Sequence, residues 1–189
     1  GEGGAILINN KKFLERAEYI REKGTNRSKF SRGEVNKYTW IDIGSSFLPG
    51  ELIAAFLWSQ MQEADLITNK RIKIWNTYHK KLEILEKENF VRRPKIAKEC
   101  KHNAHLYYLI LVNKEIRTKF IDYMKEKSIH CTFHYVPLHS SPFYKRFNEK
   151  VDLPITTNMS SRIVRIPLWL GIENDLDFVI DEFISFFKS

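Results

Sequence analysis

An apolar run from Leu106 to Val112, an amphipathic stretch from Lys114 to Lys127 and a second apolar run from Ile129 to Val136 follow one another almost without spacers. Ile116, Phe120, Ile121 and Met124 recur at steps of one helical face, while the flanking runs have strand length. Strand, helix and strand in that order predict an α/β domain with helices packed on a sheet. The pattern continues with an irregular stretch at 137–155, a short helix at 156–162, a short strand at Arg165–Pro167 and a last helix from Glu173 to Phe187. Asn174 or Asp175 is placed to cap that helix.

The preceding sequence is built differently. Ala5-Ile6-Leu7-Ile8 reads as a short strand, and Asn10 can cap a helix from Lys11 to Lys23 with Phe13, Leu14, Ala17 and Ile20 on one face. Gly24 suits the position that closes it. Residues 24–46 hold no period and are rich in Gly, Ser, Thr, Asn, Lys and Arg. Loops of that length are functional or disordered, and Tyr38 and Trp40 argue against disorder. Pro49 fits the first turn of a helix over Glu51–Asp65, where Ala54 and Ala55 suit close packing. A further helix spans about Asn69 to Glu88, carrying Ile72, Trp75, Tyr78, Leu82 and Leu85 on one side. The segment Arg92-Arg93-Pro94-Lys95 cannot continue it.

Several classes are excluded. The 189 residues are 43% hydrophobic and 13% aromatic, enough for a core and too much for a disordered chain. No apolar run approaches the ~20 residues that a bilayer-spanning helix needs. Gly1-Glu2-Gly3-Gly4 has neither the basic start nor the apolar centre of a signal peptide, and its direct entry into a strand without a Met predicts a fragment. Cys100 and Cys131 stand apart in no paired motif, which suits reduced thiols in a cytoplasmic protein.

The formal charge of +8 invites anionic partners. Lys23, Arg27, Lys29 and Arg32 lie in one stretch with no acid between Lys23 and Arg32, and the backbone at Gly24 and Gly33 could add N–H donors. That pattern is either a solvated surface or an anion site. A stand-alone nucleic-acid- or nucleotide-binding module is the alternative function, with Tyr38 and Trp40 stacking on bases. The remaining basic residues alternate with acids along helices, which disfavours nucleic acid. Gly1-Glu2-Gly3-Gly4 lacks the Lys-Ser/Thr ending of a P-loop. His130, His134 and His139 do not make a zinc motif, so no metal is expected, and a histidine at a strand end is better placed to hold a substrate oxygen or move a proton. Ser45 and Ser46 precede a helix, where hydroxyls either cap it or meet an anion.

These pieces occur in a recognisable order. Gly-Glu-Gly-Gly-Ala before a strand and helix, Arg-Glu-Lys-Gly-Thr-Asn-Arg at 21–27, Lys-Tyr-Thr-Trp-Ile-Asp-Ile-Gly-Ser-Ser-Phe-Leu-Pro at 37–49, Glu51 through Ala55, and His-Tyr-Val-Pro-Leu-His at 134–139 together resemble the DegT/DnrJ/EryC1/StrS nucleotide-sugar aminotransferases. The likeness runs through the whole chain and is strongest to the subgroup that aminates dTDP-4-keto-6-deoxyglucose in enterobacterial common antigen synthesis. It implies the type I, aspartate aminotransferase-like fold: residues 1–65 as the tail of the large domain that binds pyridoxal phosphate (PLP), and residues 66–189 as the small C-terminal α/β domain. It also implies a homodimer.

The resemblance places the Schiff-base lysine a few residues before Gly-Glu-Gly-Gly, outside this chain, so no catalytic residue is expected within it and the isolated chain is expected to be inactive. Many members carry Gly-x-Asn-x-Arg for the cofactor phosphate. Here Ser46 stands at the Asn position and Leu48 at the Arg position, so Ser45 and Ser46 are expected to meet that phosphate. By the same likeness Asn26, Arg27 and Tyr38 lie in the nucleotide-sugar loop, and His134 lies close to cofactor and sugar. The implied reaction is ping-pong transfer of an amine from glutamate to the C4 ketone of the sugar, with no nucleic-acid or membrane partner.

Overall fold

A computed structural model describes residues 3–147 and 151–188. Gly1 and Glu2 of the Gly-rich start, and residues 148–150 of the irregular stretch, lie outside the described residues. The chain divides into two compact units, Gly1–Glu63 and Ala64–Ser189.

The second unit is built on a three-stranded antiparallel sheet in the order β1-β2-β3, with β1 at Val91–Arg92, β2 at Tyr107–Leu111 and β3 at Ile163–Ile166. Val91 pairs with Leu111, and Tyr107 with Ile166. Tyr107, Leu109 and Leu111 alternate inward on β2 and are fully buried. Against them pack Tyr78 and Leu82 from the helix Ala64–Lys81 and the residue after it, Phe120 and Met124 from the helix Lys114–Glu126, and Val179, Ile180 and Phe183 from the helix Leu176–Lys188. The Phe183 ring lies 5.5 Å from Phe120 and 6.2 Å from Tyr78. The buried Tyr78 hydroxyl donates to the Pro167 carbonyl at 2.9 Å, so a polar group sits in this core without a desolvation penalty left unmet. Asn113 caps Lys114–Glu126 by accepting from the Ile116 N–H at 2.8 Å.

The expected strand at 129–136 reduces to one bridge. Thr132 and Arg165 exchange two backbone hydrogen bonds, and the chain then turns away. The preceding helix ends at Lys87, ahead of Arg92-Arg93-Pro94, with Asn89 at φ +62°, and Val91 and Arg92 then form β1. The predicted helices at Glu51–Asp65 and Asn69–Glu88 become Glu51–Gln62, Ala64–Lys81 and a short turn of helix at Glu83–Lys87. No Gly or Pro stands between residues 62 and 69, so helical structure resumes after a single residue.

In the first unit, Asn10 accepts from the Lys12 N–H at 3.0 Å and starts a 3-10 turn at Lys11–Phe13, which leads into α1 at Leu14–Arg21. The expected strand at Ala5–Ile8 is absent, because a strand exists only by pairing and no described residue lies alongside it. A helical turn, α2 at Arg27–Ser31, stands inside the expected loop. The helix after Pro49, α3, starts at Glu51 with Gly50 as its cap residue. Among the described residues no helix is long and apolar enough to cross a membrane.

Candidate functional site

The end of α1 organises the long loop. The Gly24 N–H donates to the Tyr19 carbonyl at 2.7 Å, and the Gly24 carbonyl accepts from Ile41 at 2.7 Å and Asp42 at 3.0 Å. Ser45 donates to the Ile20 carbonyl and accepts from the Lys23 N–H, both at 3.0 Å, while Phe47 donates to the Arg21 carbonyl at 3.0 Å. Carbonyls that a helix end leaves without partners are satisfied by the returning chain. Gly24 sits at φ +75°, and a Cβ there would lie 1.7 Å from the Asp42 carbonyl oxygen. A Cβ on Gly44 would lie 2.1 Å from the Gly24 nitrogen, so at this point the two arms of the loop approach more closely than any side chain allows.

This clasp gathers five of the expected site residues. Asn26 is buried, and its side-chain carbonyl accepts the Thr39 N–H at 2.6 Å, so that half of its amide holds the loop. Tyr38 is half exposed against Phe30, with ring centroids 5.7 Å apart. Arg27 stands 3.4 Å from the Glu22 carboxylate. Ser45 and Ser46 are exposed, and their hydroxyls have no hydrogen-bond partner among the described residues. They do not cap α3, which starts five residues beyond Ser46 and has no side-chain cap.

The run of cations is not a free anion site. Lys29 is paired with Glu15, and Arg32 with Glu18 at 2.9 Å and Glu34 at 2.6 Å. The acids absent between Lys23 and Arg32 come mainly from α1, one turn apart on the face that meets the loop. The Gly33 N–H is taken by the Phe30 carbonyl at 3.0 Å. Lys23 alone of the four has no ion-pair partner among the described residues.

His134 belongs to the second unit. Its Nδ1 lies 3.3 Å from Nη1 of Arg165. Partial desolvation, then the positive charges of Arg165 and His105, hold its pKa below the ordinary histidine value. Arg165 of this pair, with His105, Thr132 and Trp169 among others, lines a cleft of about 540 Å³. Sequence reasoning missed Arg165 and His105. The one signal was an Arg in the apolar run Ile163-Val164-Arg165-Ile166, a charge that the edge of a sheet tolerates only when aimed at a cleft or solvent. A second cleft holds Trp75, stacked on His79 at 4.6 Å, and Arg93, which joins Glu86 at 2.8 Å and the His79 carbonyl. Arg93 and Glu86 pair with each other there, so they read as a staple on the helix end. His139 bonds Thr157 at 3.3 Å, and no group of three or more potential metal ligands occurs among the described residues.

Burial separates the two thiols. Cys131 is 5% exposed and its pKa is pushed up to about 12 by desolvation, whereas Cys100 is exposed. At pH 8 a thiol reagent is expected to modify Cys100 promptly and Cys131 only after denaturation, since the thiolate is the reactive form. Equal rates in the native chain would contradict this burial.

With this geometry in place, the model of the DegT/DnrJ/EryC1/StrS aminotransferase family matches residues 1–183. The chain belongs to this family. It is 28% identical over 93% of its length to the uncharacterised protein MJ1066 of Methanocaldococcus jannaschii, of which it covers 47%. It is 24% identical over its full length to a GDP-perosamine synthase of Escherichia coli O157:H7, of which it covers 48%. This member of the family thus spans about half the length of the curated relatives it matches. Its fold is that of part of the aminotransferase TlmJ from Streptoalloteichus hindustanus, with TM-score 0.80, 17% identity and coverage of 95% of this chain and 46% of the other. The NtdA protein of Bacillus subtilis with bound cofactor PMP matches equally well, at TM-score 0.80 and 18% identity over 96% of this chain and 41% of the other.

Proposed function

We propose that this chain supplies the C-terminal part of a PLP-dependent aminotransferase that moves an amino group from glutamate to the C4 ketone of dTDP-4-keto-6-deoxyglucose. The product serves cell-surface polysaccharide synthesis, and the enzyme is a cytoplasmic homodimer. On this reading the first unit is the tail of the large domain and the second is the small domain, with the boundary near 65. Family membership supports the aminotransferase chemistry. Exposed Leu52 and Phe56, one turn apart on α3, support burial of that face against further protein.

The observation that carries the reading is the pair of hydroxyls at Ser45 and Ser46 without a hydrogen-bond partner among the described residues, on a segment bonded through its backbone to Ile20, Arg21 and Lys23, a lysine with no ion-pair partner among the described residues. Two hydroxyl donors and a nearby cation fit a phosphate monoester. Bound there, PLP supplies the electron sink for amino transfer. Ser45 and Ser46 donate to its phosphate, and the loop fixes their position. Arg27, whose side chain is more than half exposed and stands 3.4 Å from Glu22, exchanges that contact for the sugar diphosphate, Tyr38 lies against the base, and Asn26 holds the loop that carries both. His134 holds a sugar or cofactor oxygen through a ring N–H.

Glutamate-dependent amination of dTDP-4-keto-6-deoxyglucose by the enzyme carrying this segment tests the substrate. Replacing Ser45 and Ser46 together by Ala is expected to weaken retention of pyridoxamine phosphate on the order of tenfold or more, since a charge-assisted hydrogen bond contributes about 1.5–3 kcal/mol. Unchanged retention would remove the serines from the phosphate site. Steeply salt-dependent binding to DNA or RNA, without preference for dTDP sugars, would favour a nucleic-acid module instead.

A further inference from the structure

Thr132 and Arg165 are paired through two backbone bonds, Thr132 N–H to the Arg165 carbonyl at 3.0 Å and Arg165 N–H to the Thr132 carbonyl at 2.7 Å. His134 lies two residues beyond Thr132, within diagonal reach of the side chain opposite, and there Nη1 of Arg165 stands 3.3 Å from Nδ1. A guanidinium has five N–H donors and no acceptor, whereas a neutral imidazole has one of each. The contact is a hydrogen bond only if Nδ1 accepts. The opposite tautomer, or the doubly protonated ring, would set one N–H against another. His105, like Arg165, disfavours a second proton on this ring, the Tyr135 ring stands edge-on to it with centroids 3.5 Å apart, and no carboxylate among the described residues acts on it.

We propose that Arg165 is a positioning residue that fixes the neutral His134 ring with its proton on Nε2, so that His134 offers a ligand one N–H donor and no free nitrogen base. Nε2 has no partner among the described residues and is left for an oxygen. The role of His134 is then to bind and orient an acceptor, not to take a proton from it. The inference deepens the proposed function, and rests on it only for the identity of that oxygen, a sugar hydroxyl, a ketone or a phosphate oxygen.

The test is a long-range nitrogen–proton spectrum of the ¹⁵N-labelled imidazoles at neutral pH, with His134 assigned through His134→Gln. Wild-type protein is expected to show an unprotonated, hydrogen-bonded Nδ1 and a protonated Nε2. In Arg165→Met the two nitrogen shifts are expected to converge as the second tautomer populates, and the protonation midpoint to rise. Arg165→Lys, still only a donor, keeps the wild-type pattern. Arg165→Gln, whose amide can accept as well as donate, releases the ring by a second route should the apolar variant fail to fold. A proton on Nδ1 in the wild type, or unmoved shifts in both releasing variants, would overturn the proposal. No nucleotide sugar enters this measurement, so its failure leaves the proposed reaction standing, and failure to aminate the sugar leaves the tautomer standing.

Discussion

Phe183→Ala is expected to destabilise the second unit by about 3–5 kcal/mol, the range for emptying a buried aromatic site. The ring is fully buried and lies against Phe120 and Tyr78, which hang from two other helices. Phe120 and Tyr78 have their own neighbours, β2 among them, and cannot collapse into the space, so the loss includes both the transfer of the ring and a residual cavity. The measurement is the urea midpoint followed by far-ultraviolet circular dichroism. Phe178→Ala on the same helix is the control: its ring is 51% exposed, and the loss should stay below about 1 kcal/mol. Equal losses for the two variants would mean that the three-helix contact around Phe183 is not what holds this core.

The elements that were legible in the sequence are those whose stability is local or whose pattern is long. The helix at Lys114–Glu126 carries its own cap in Asn113 and a clear face in Ile116, Phe120 and Met124, so its bounds differ from expectation by one residue. The strand Tyr107–Leu111 falls inside the apolar run that predicts it. What was not legible depends on partners distant in sequence. Val91 and Arg92 are a strand only because Leu111 and Ile110 face them, and Ala5–Ile8 is not one because no described residue does. The same holds for charge. The run from Lys23 to Arg32 looks like an anion site until α1 folds against it and brings Glu15, Glu18 and Glu22 within reach. His134 was visible as a residue, but its tautomer is set by Arg165, 31 positions away.

Gly24→Ala is expected to release the loop that displays Ser45 and Ser46. Two costs act together. The backbone at φ +75° is one that L side chains rarely adopt, and the added Cβ would sit 1.7 Å from the Asp42 carbonyl oxygen. The first alone costs of order 1–2 kcal/mol, and the second cannot be relieved by a rotamer change because the atom it meets is backbone. The chain must therefore open. Opening forfeits the bonds from Ile41 and Asp42 to the Gly24 carbonyl, and with them the close approach of Gly44 that aligns Ser45 with Ile20 and Lys23. The second unit shares none of these contacts, so its unfolding should be unchanged while amide exchange across 24–46 becomes rapid. In the enzyme carrying this segment the same variant should lose pyridoxamine phosphate at least as readily as the double serine variant, because it displaces both hydroxyls at once. Slow exchange across 24–46 in Gly24→Ala would show that the glycine contact is not what holds the clasp closed, and retained phosphate affinity with an open loop would move the phosphate away from Ser45 and Ser46.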